Sequence, residues 1–272
     1  MLFVCPLDRS PLEPVGGVVR CGLGHTFDRA REGYLNLLVG GRKRSRPAGD
    51  PAPMVRARRA FFDAGHYAEV ADAVAAQVLA TGGETVLDAG CGEGRYLGRV
   101  GALAADRSCW GIDVAKTAVK LAARRYPGAG FAVASSYALP VADATVDVVM
   151  TVFSPRPFAE FGRVLRPGGV VVAASPGPEH LAGLTDLVYG RHRPHGQRPH
   201  TADDPDLPLA PVRRERVYRE LHLTDRAAIV HLLQMTPHYW HASPQRQAAI
   251  TGLDRLDTVV DVVVTTHRVG PG

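Results

Sequence analysis

Cysteine is scarce in this chain. Its 272 residues include four, Cys5, Cys21, Cys91 and Cys109, too few for a disulfide scaffold and suited to a reducing, cytoplasmic setting. No apolar run approaches the ~18 residues that a membrane-spanning helix needs. The opening residues Met1 to Pro6 lack a basic stretch followed by a long apolar run, so no secretory signal is expected. Neither sign of charge dominates: 32 Lys and Arg against 27 Asp and Glu leave +5, compatible with a polyanionic partner and weak evidence for one. No internal repeat is visible. Together these absences exclude membrane, secreted-scaffold and fibrous classes. What remains is ordinary globular composition, 46% hydrophobic and 22% charged, long enough for one large α/β domain or a core with a small appendage.

The pattern along the chain changes twice. Residues 1–33 hold two of the cysteines and several glycines with little amphipathic period, which predicts turns and short strands, and residues 34–40 read as a short apolar strand or anchor. A basic stretch, Gly41-Arg42-Lys43-Arg44-Ser45-Arg46-Pro47, leads into helical periodicity from Met54 to about Leu79, interrupted at Gly65-His66-Tyr67. From residue 84 onwards, strands alternate with helices. Strands are expected at Thr85–Asp88, Cys109–Asp113, Phe131–Ala134, Val146–Val152 and Val170–Ala174, with helices at Arg95–Leu103, Lys116–Arg125 and Phe158–Leu165. That alternation implies right-handed crossovers and a mostly parallel sheet. Residues 190–211, rich in proline and almost without apolar pattern, read as a mobile loop. A strand near 216–222, a helix from Thr224 (as N-cap) to Met235 and a strand at Thr258–Thr266 complete the expectation. The chain thus divides into a module at 1–40, a basic linker with helices at 41–80, and a core at 81–272.

The strongest motif is Asp88-Ala89-Gly90-Cys91-Gly92-Glu93-Gly94, directly after a strand. Alternate glycines let the backbone approach a ligand with no Cβ in the way, and the next helix offers free N–H groups. A nicotinamide loop would need a further glycine where Arg95 stands. The spacing instead resembles the S-adenosylmethionine loop of class I methyltransferases. Asp113, ending the next strand, is then placed to accept from ribose hydroxyls, and Ser135 to contact adenine. Cys91 reads better as a small residue that fits the loop than as a nucleophile. In the first module, Cys5-x-x-Asp8 and Cys21-x-x-x-His25 have the outline of a paired zinc knuckle. Asp8 is a harder ligand than thiolate, so both a zinc site and a metal-free ribbon held by Leu7, Leu12 and Phe27 stay open.

Further residues carry a more specific resemblance. Cys5-Pro6-Leu7, Cys21, His25-Thr26-Phe27-Asp28 and Glu32-Gly33-Tyr34-Leu35-Asn36-Leu37-Leu38 resemble the opening of the 23S rRNA guanine-N1 methyltransferases. Ala57-Arg58-Arg59-Ala60-Phe61, Asp63-Ala64-Gly65-His66-Tyr67, Pro176-Gly177-Pro178-Glu179-His180-Leu181 and Leu232-Leu233-Gln234-Met235-Thr236-Pro237 continue it. The resemblance implies an α/β fold: a Rossmann-like class I methyltransferase with a small N-terminal zinc-ribbon-like module, often dimeric, acting on a hairpin of 23S rRNA. By the same resemblance, cofactor contacts fall on Tyr67, Cys91, Gly92 and His180. Zinc ligation falls on Cys5, Cys21 and His25, while Asp8 stands where the family has cysteine.

Transfer to guanine N1 requires that its proton leave or its anion be stabilised. His180, His238 and His66 are candidate bases, Arg156 a candidate partner of O6, and Tyr239 and Trp240 candidate stacking rings. No catalytic residue is assigned. Two alternatives remain: an N-methyltransferase of a small heterocyclic metabolite on the same scaffold, and a non-catalytic RNA-binding factor.

Overall fold

The computed structural model describes residues 1–39, 49–190 and 209–269. The expected basic loop at 41–47 and nearly all of the expected mobile loop at 190–211 lie outside the described residues.

Three short strands open the chain, β1 (Leu12–Val15), β2 (Val18–Cys21) and β3 (Thr26–Asp28), forming an antiparallel ribbon. Gly16 and Gly17 close the first hairpin, with Val15 paired to Val18 and Gly16 at φ 62°, as a two-residue hairpin turn demands. The next strand, β4 (Leu35–Asn36), leaves the ribbon and pairs parallel with a strand of the main sheet. Helices α1 (Ala52–Asp63) and α2 (Ala68–Leu79) follow. They part where expected, at Gly65 with φ 85°.

The alternating half then runs β5 (Thr85–Ala89), α3 (Arg95–Leu103), β6 (Ser108–Asp113), α4 (Lys116–Arg125), β7 (Gly130–Val133), β8 (Val146–Val152), α5 (Phe158–Val164), β9 (Leu165–Pro176) and α6 (Ala182–Tyr189). It closes with β10 (Leu209–Leu223), α7 (Arg226–Gln234), α8 (His238–His241), α9 (Pro244–Thr251) and β11 (Leu256–Val269). The main sheet has the order β10-β11-β9-β8-β5-β6-β7-β4. From β9 to β4 its neighbours are parallel, while β11 and β10 turn antiparallel. Residues along each parallel strand alternate between two cores. Val86 and Val148 face one with Phe61, Val74 and Leu97, whereas Leu87 and Val149 face the other with Ile112, Phe161 and Val171. Burial on both faces explains the nearly continuous apolar run of β8. This is a class I methyltransferase architecture with a mixed sheet and an N-terminal ribbon. Among the described residues, no helix is long and apolar enough to cross a membrane.

Several expectations need correction. The cap of α7 is Asp225, whose carboxylate accepts from the N–H groups of Ala227 and Ala228, rather than Thr224. The last two strands are much longer than expected, because β10 and β11 pair with each other along nearly their whole length. Helices α6, α8 and α9 were not anticipated. The start of α9 was nevertheless legible, since Ser243 caps the N–H of Arg246 and Pro244 follows at the first helical position.

Candidate cofactor cleft and metal centre

The order of the sheet fixes where a ligand can enter. The chain runs outward from β5 through β6 to β7, then returns to build β8 and β9 on the other side. The reversal lies between β5 and β8, and such sheets bind ligands in the crevice beyond the carboxyl ends of those strands. Gly90 follows β5 there, and Phe153-Ser154 follows β8. The two loops touch: a Cβ on Gly90 would lie within about 2 Å of the Ser154 Oγ. Asp113 ends β6, and Ser135 lies just past β7 at the same edge.

The glycine loop adopts a backbone that only its glycines accept without strain. Gly90, Gly92 and Gly94 have φ of 94°, 53° and 79°, a region that side-chain-bearing residues avoid. A Cβ on Gly92 would meet nothing within 4 Å, so the backbone there faces open space. Asp113 holds this loop in place: its Oδ2 accepts from the N–H of Gly92 at 2.9 Å, and its Oδ1 from that of Ala115 at 2.7 Å. Each oxygen keeps a further lone pair for a ligand hydroxyl.

Asp88 is buried, and neither of its oxygens has a hydrogen-bond partner among the described residues. Burial, and then the nearby Asp113 charge, push its carboxyl well above the ordinary range. A second carboxyl, that of Glu93, is in the same condition and is pushed up by burial and by Asp63. Orphaned buried carboxyls beside a bare backbone complement a cation. S-adenosylmethionine, with its sulfonium and ammonium groups, fits that demand. The Cys91 thiol is buried and pushed well up by burial and by the Asp88 and Asp113 charges, the opposite of an activated nucleophile.

Tyr67 and His180 come together although they lie 113 residues apart. Tyr67 Oη is 3.1 Å from His180 Nε2, and both side chains are buried. The N–H of Asp261 donates to His180 Nδ1 at 3.2 Å, so Nδ1 is engaged by the backbone and Nε2 faces Tyr67. Held from both sides, His180 ties the tyrosine to β11. Phe153 completes the cluster, stacked on His180 at 5.6 Å and edge-on to Tyr67 at 6.2 Å. The other histidines are engaged elsewhere: His66 lies against Phe61 at 4.3 Å, and His238 Nδ1 is 2.9 Å from Tyr189 Oη. Tyr239 packs on the main core, and the Trp240 side chain lies outside the described residues.

At the ribbon end, one ligand atom from each of Cys5, Asp8, Cys21 and His25 falls within 4.8 Å of all the others. His25 Nδ1 lies 3.6 Å from Cys5 Sγ and 3.3 Å from Cys21 Sγ, and Asp8 Oδ2 lies 3.2 Å from Cys21 Sγ and 2.9 Å from His25 Nδ1. Such spacings suit four ligands on one tetrahedral zinc ion. Asp8 is tailored to the place. Its Oδ1 accepts from the N–H and hydroxyl of Ser10, which holds the carboxyl well below its usual range and turns Oδ2 toward the cluster.

A family described as the N-terminal zinc ribbon of RlmA matches residues 3–46, and a methyltransferase domain matches residues 86–169. A 23S rRNA (guanine(748)-N(1))-methyltransferase of Streptomyces fradiae is 37% identical, over 96% of this chain and 95% of its own. The chain belongs to the 23S rRNA guanine-N1 methyltransferase family. A Micromonospora griseorubida relative, whose name points to the same activity, is 36% identical over 95% of this chain and 94% of its own. Among solved structures, the [4+2]-cyclase SpnF aligns with a TM-score of 0.49 at 20% identity, covering 75% of this chain and 81% of that one. The family is one of S-adenosylmethionine-dependent enzymes, and the ribbon's Cys, Asp and His cluster is compatible with its zinc.

Sequence reasoning passed over Glu93 and Phe153. Glu93 sits between two loop glycines and could have been noticed. Phe153 could not, because its significance lies in a backbone conformation and in neighbours far away in the chain.

Proposed function

We propose that this chain transfers a methyl group from S-adenosylmethionine to N1 of a guanine in a 23S rRNA hairpin. One observation carries the proposal: similarity to a 23S rRNA guanine-N1 methyltransferase runs through the ribbon as well as the catalytic body. Asp88, Gly90, Cys91 and Gly92 would form the cradle of the cofactor, Asp113 would take its ribose and Ser135 its adenine. Tyr67 and His180 would close the cleft as one hydrogen-bonded unit. Cys5, Asp8, Cys21 and His25 would hold zinc. A cytoplasmic location, where free thiols persist, and a homodimer accompany this reading.

The decisive experiment supplies labelled methyl donor to the purified protein with protein-free 23S rRNA fragments or with small nitrogen heterocycles. Methylation at N1 blocks Watson–Crick pairing, so reverse transcription should stop at one guanine of the modified RNA. Label on heterocycles alone would favour a small-molecule N-methyltransferase. Cofactor binding with no transfer to either would favour an RNA-binding factor.

A further inference from the structure

Resting on the function proposed above, we infer that Phe153 and Arg156 form the seat of the target guanine, Phe153 stacking on the base and Arg156 binding O6. Both residues belong to the loop after β8, which borders the crevice where the sheet reverses direction. Through Ser154 this loop touches Gly90 of the cofactor cradle. A base seated on it would therefore lie beside a methyl donor held by the glycine loop.

Phe153 adopts φ 53°, a left-handed conformation that costs a bulky residue roughly 1–2 kcal/mol. Its N–H is fixed on the carbonyl of Ala174 at 3.0 Å, yet 39% of the residue is exposed. Strain and an exposed ring together give the folded state nothing, and such residues concentrate at binding sites. The ring is backed by buried His180 and Tyr67, which leaves an aromatic surface at the cleft mouth. Unstacked bases are received on surfaces of this kind.

Arg156 is half-buried and has no ion pair or hydrogen bond among the described residues. Arg58, Arg95 and Arg163 are buried to a similar degree, and each holds a carboxylate, from Asp50, Asp63 and Glu160. A cation taken from water without a partner is costly unless an anion arrives. Burial also pulls the Arg156 guanidinium below its ordinary value. Pro155 and Pro157 flank it, stiffening the loop and steering Arg156 away from helical backbone. Arginine is the commonest specific partner of guanine O6. During the reaction the N1 proton passes to water and the N1 electron pair forms the new N–C bond. The S–C bond of the sulfonium breaks, its electron pair staying on sulfur. Negative charge that gathers on N1 is shared with O6, where the guanidinium stabilises it. With both His180 nitrogens already engaged, charge stabilisation takes the place of a histidine base.

The test uses the full-length protein, methyl transfer to a 23S rRNA fragment, and calorimetric affinity for S-adenosylhomocysteine as the control for cofactor binding. Arg156→Gln should lose about 100-fold in kcat/KM at neutral pH, the scale for one preorganised donor, with cofactor affinity kept. That loss should shrink steadily as alkali removes the N1 proton in advance. Arg156→Lys, which keeps the charge, should recover part of the rate. Phe153→Leu should raise KM several-fold and leave the pH profile alone. An active wild type with an Arg156→Gln variant of equal rate, or with a deficit constant across pH, overturns the inference. So does an unchanged KM in Phe153→Leu. If Arg156→Gln proves unstable, an Arg156→Lys enzyme with no residual pH-dependent deficit counts against it equally. A wild type that methylates no guanine N1 overturns the function proposed above, and this inference with it.

Discussion

At the scale of single residues, two positions show how local geometry sets what a substitution can report. Gly92 has room for a Cβ but a backbone that disfavours one. Gly92→Ala should therefore fold with a cost of about 1 kcal/mol, while its methyl group enters the space where a ligand meets the loop. We expect a small drop in Tm and at least tenfold weaker S-adenosylhomocysteine binding by calorimetry. An unchanged Kd would move the ligand away from Gly92. Valine is a poorer probe, because a branched side chain at this φ would add strain of its own. Asp8 is the second position. Its carboxylate is preorganised by Ser10, so it can replace a thiolate geometrically, but it remains the harder donor. Asp8→Cys should slow zinc loss to a chelator, followed by metal analysis over time. Equal retention in both proteins would show that the serine clamp compensates fully.

At the scale of elements, the loop between β9 and α6 depends on β11. The N–H of Gly177 donates to the carbonyl of Asp261, the Asp261 carboxylate accepts from Glu179 N–H and from Arg216, and the N–H of Asp261 holds His180. Gly177 must lack a Cβ, since one would lie 2.3 Å from that carboxylate. Burial pushes Asp261 up, but the Arg216 guanidinium and the Glu179 N–H outweigh it and hold the carboxyl below its ordinary value. A carboxylate depressed in the folded state stabilises fully above its unfolded pKa, and that contribution is lost as pH falls through the folded value. Thermal melts from about pH 6 down to about pH 3 should fall more steeply in wild type than in Asp261→Asn, the unfolded carboxylate titrating near pH 4. Parallel curves would mean that the clamp adds no net stability.

At the scale of the whole molecule, ribbon and sheet share one core. The N–H of Val4 donates to Pro140 and that of Leu37 to Val133, both at 2.9 Å, and Phe3 meets Trp110 edge-on at 5.2 Å. Cys5, Leu12, Val19 and Cys21 lie in the same buried cluster as Leu87, Ala89 and Ile112. Damage to the Cys5, Asp8, Cys21 and His25 cluster should therefore reach the catalytic body. Cys5→Ser should lower the Tm of a single calorimetric transition. Two separated transitions would show instead that the ribbon melts alone.

The sequence by itself determined what depends on neighbours in the chain. Strand and helix periods placed α3 and α4 at the residues expected, the glycine loop announced its own backbone, and Cys5, Asp8, Cys21 and His25 were named by spacing. Such features follow from dihedral preference and side-chain periodicity, which act over a few residues. Tertiary structure alone decided the rest. It paired Tyr67 with His180 across 113 residues, set Phe153 in a strained turn backed by both, and left Arg156 without a carboxylate among the described residues. It also stretched β10 and β11 into one long ladder, since an antiparallel pair extends as far as its partner does. Contacts between residues distant in the chain form only when the whole sheet closes, and no local pattern encodes which side chains then meet.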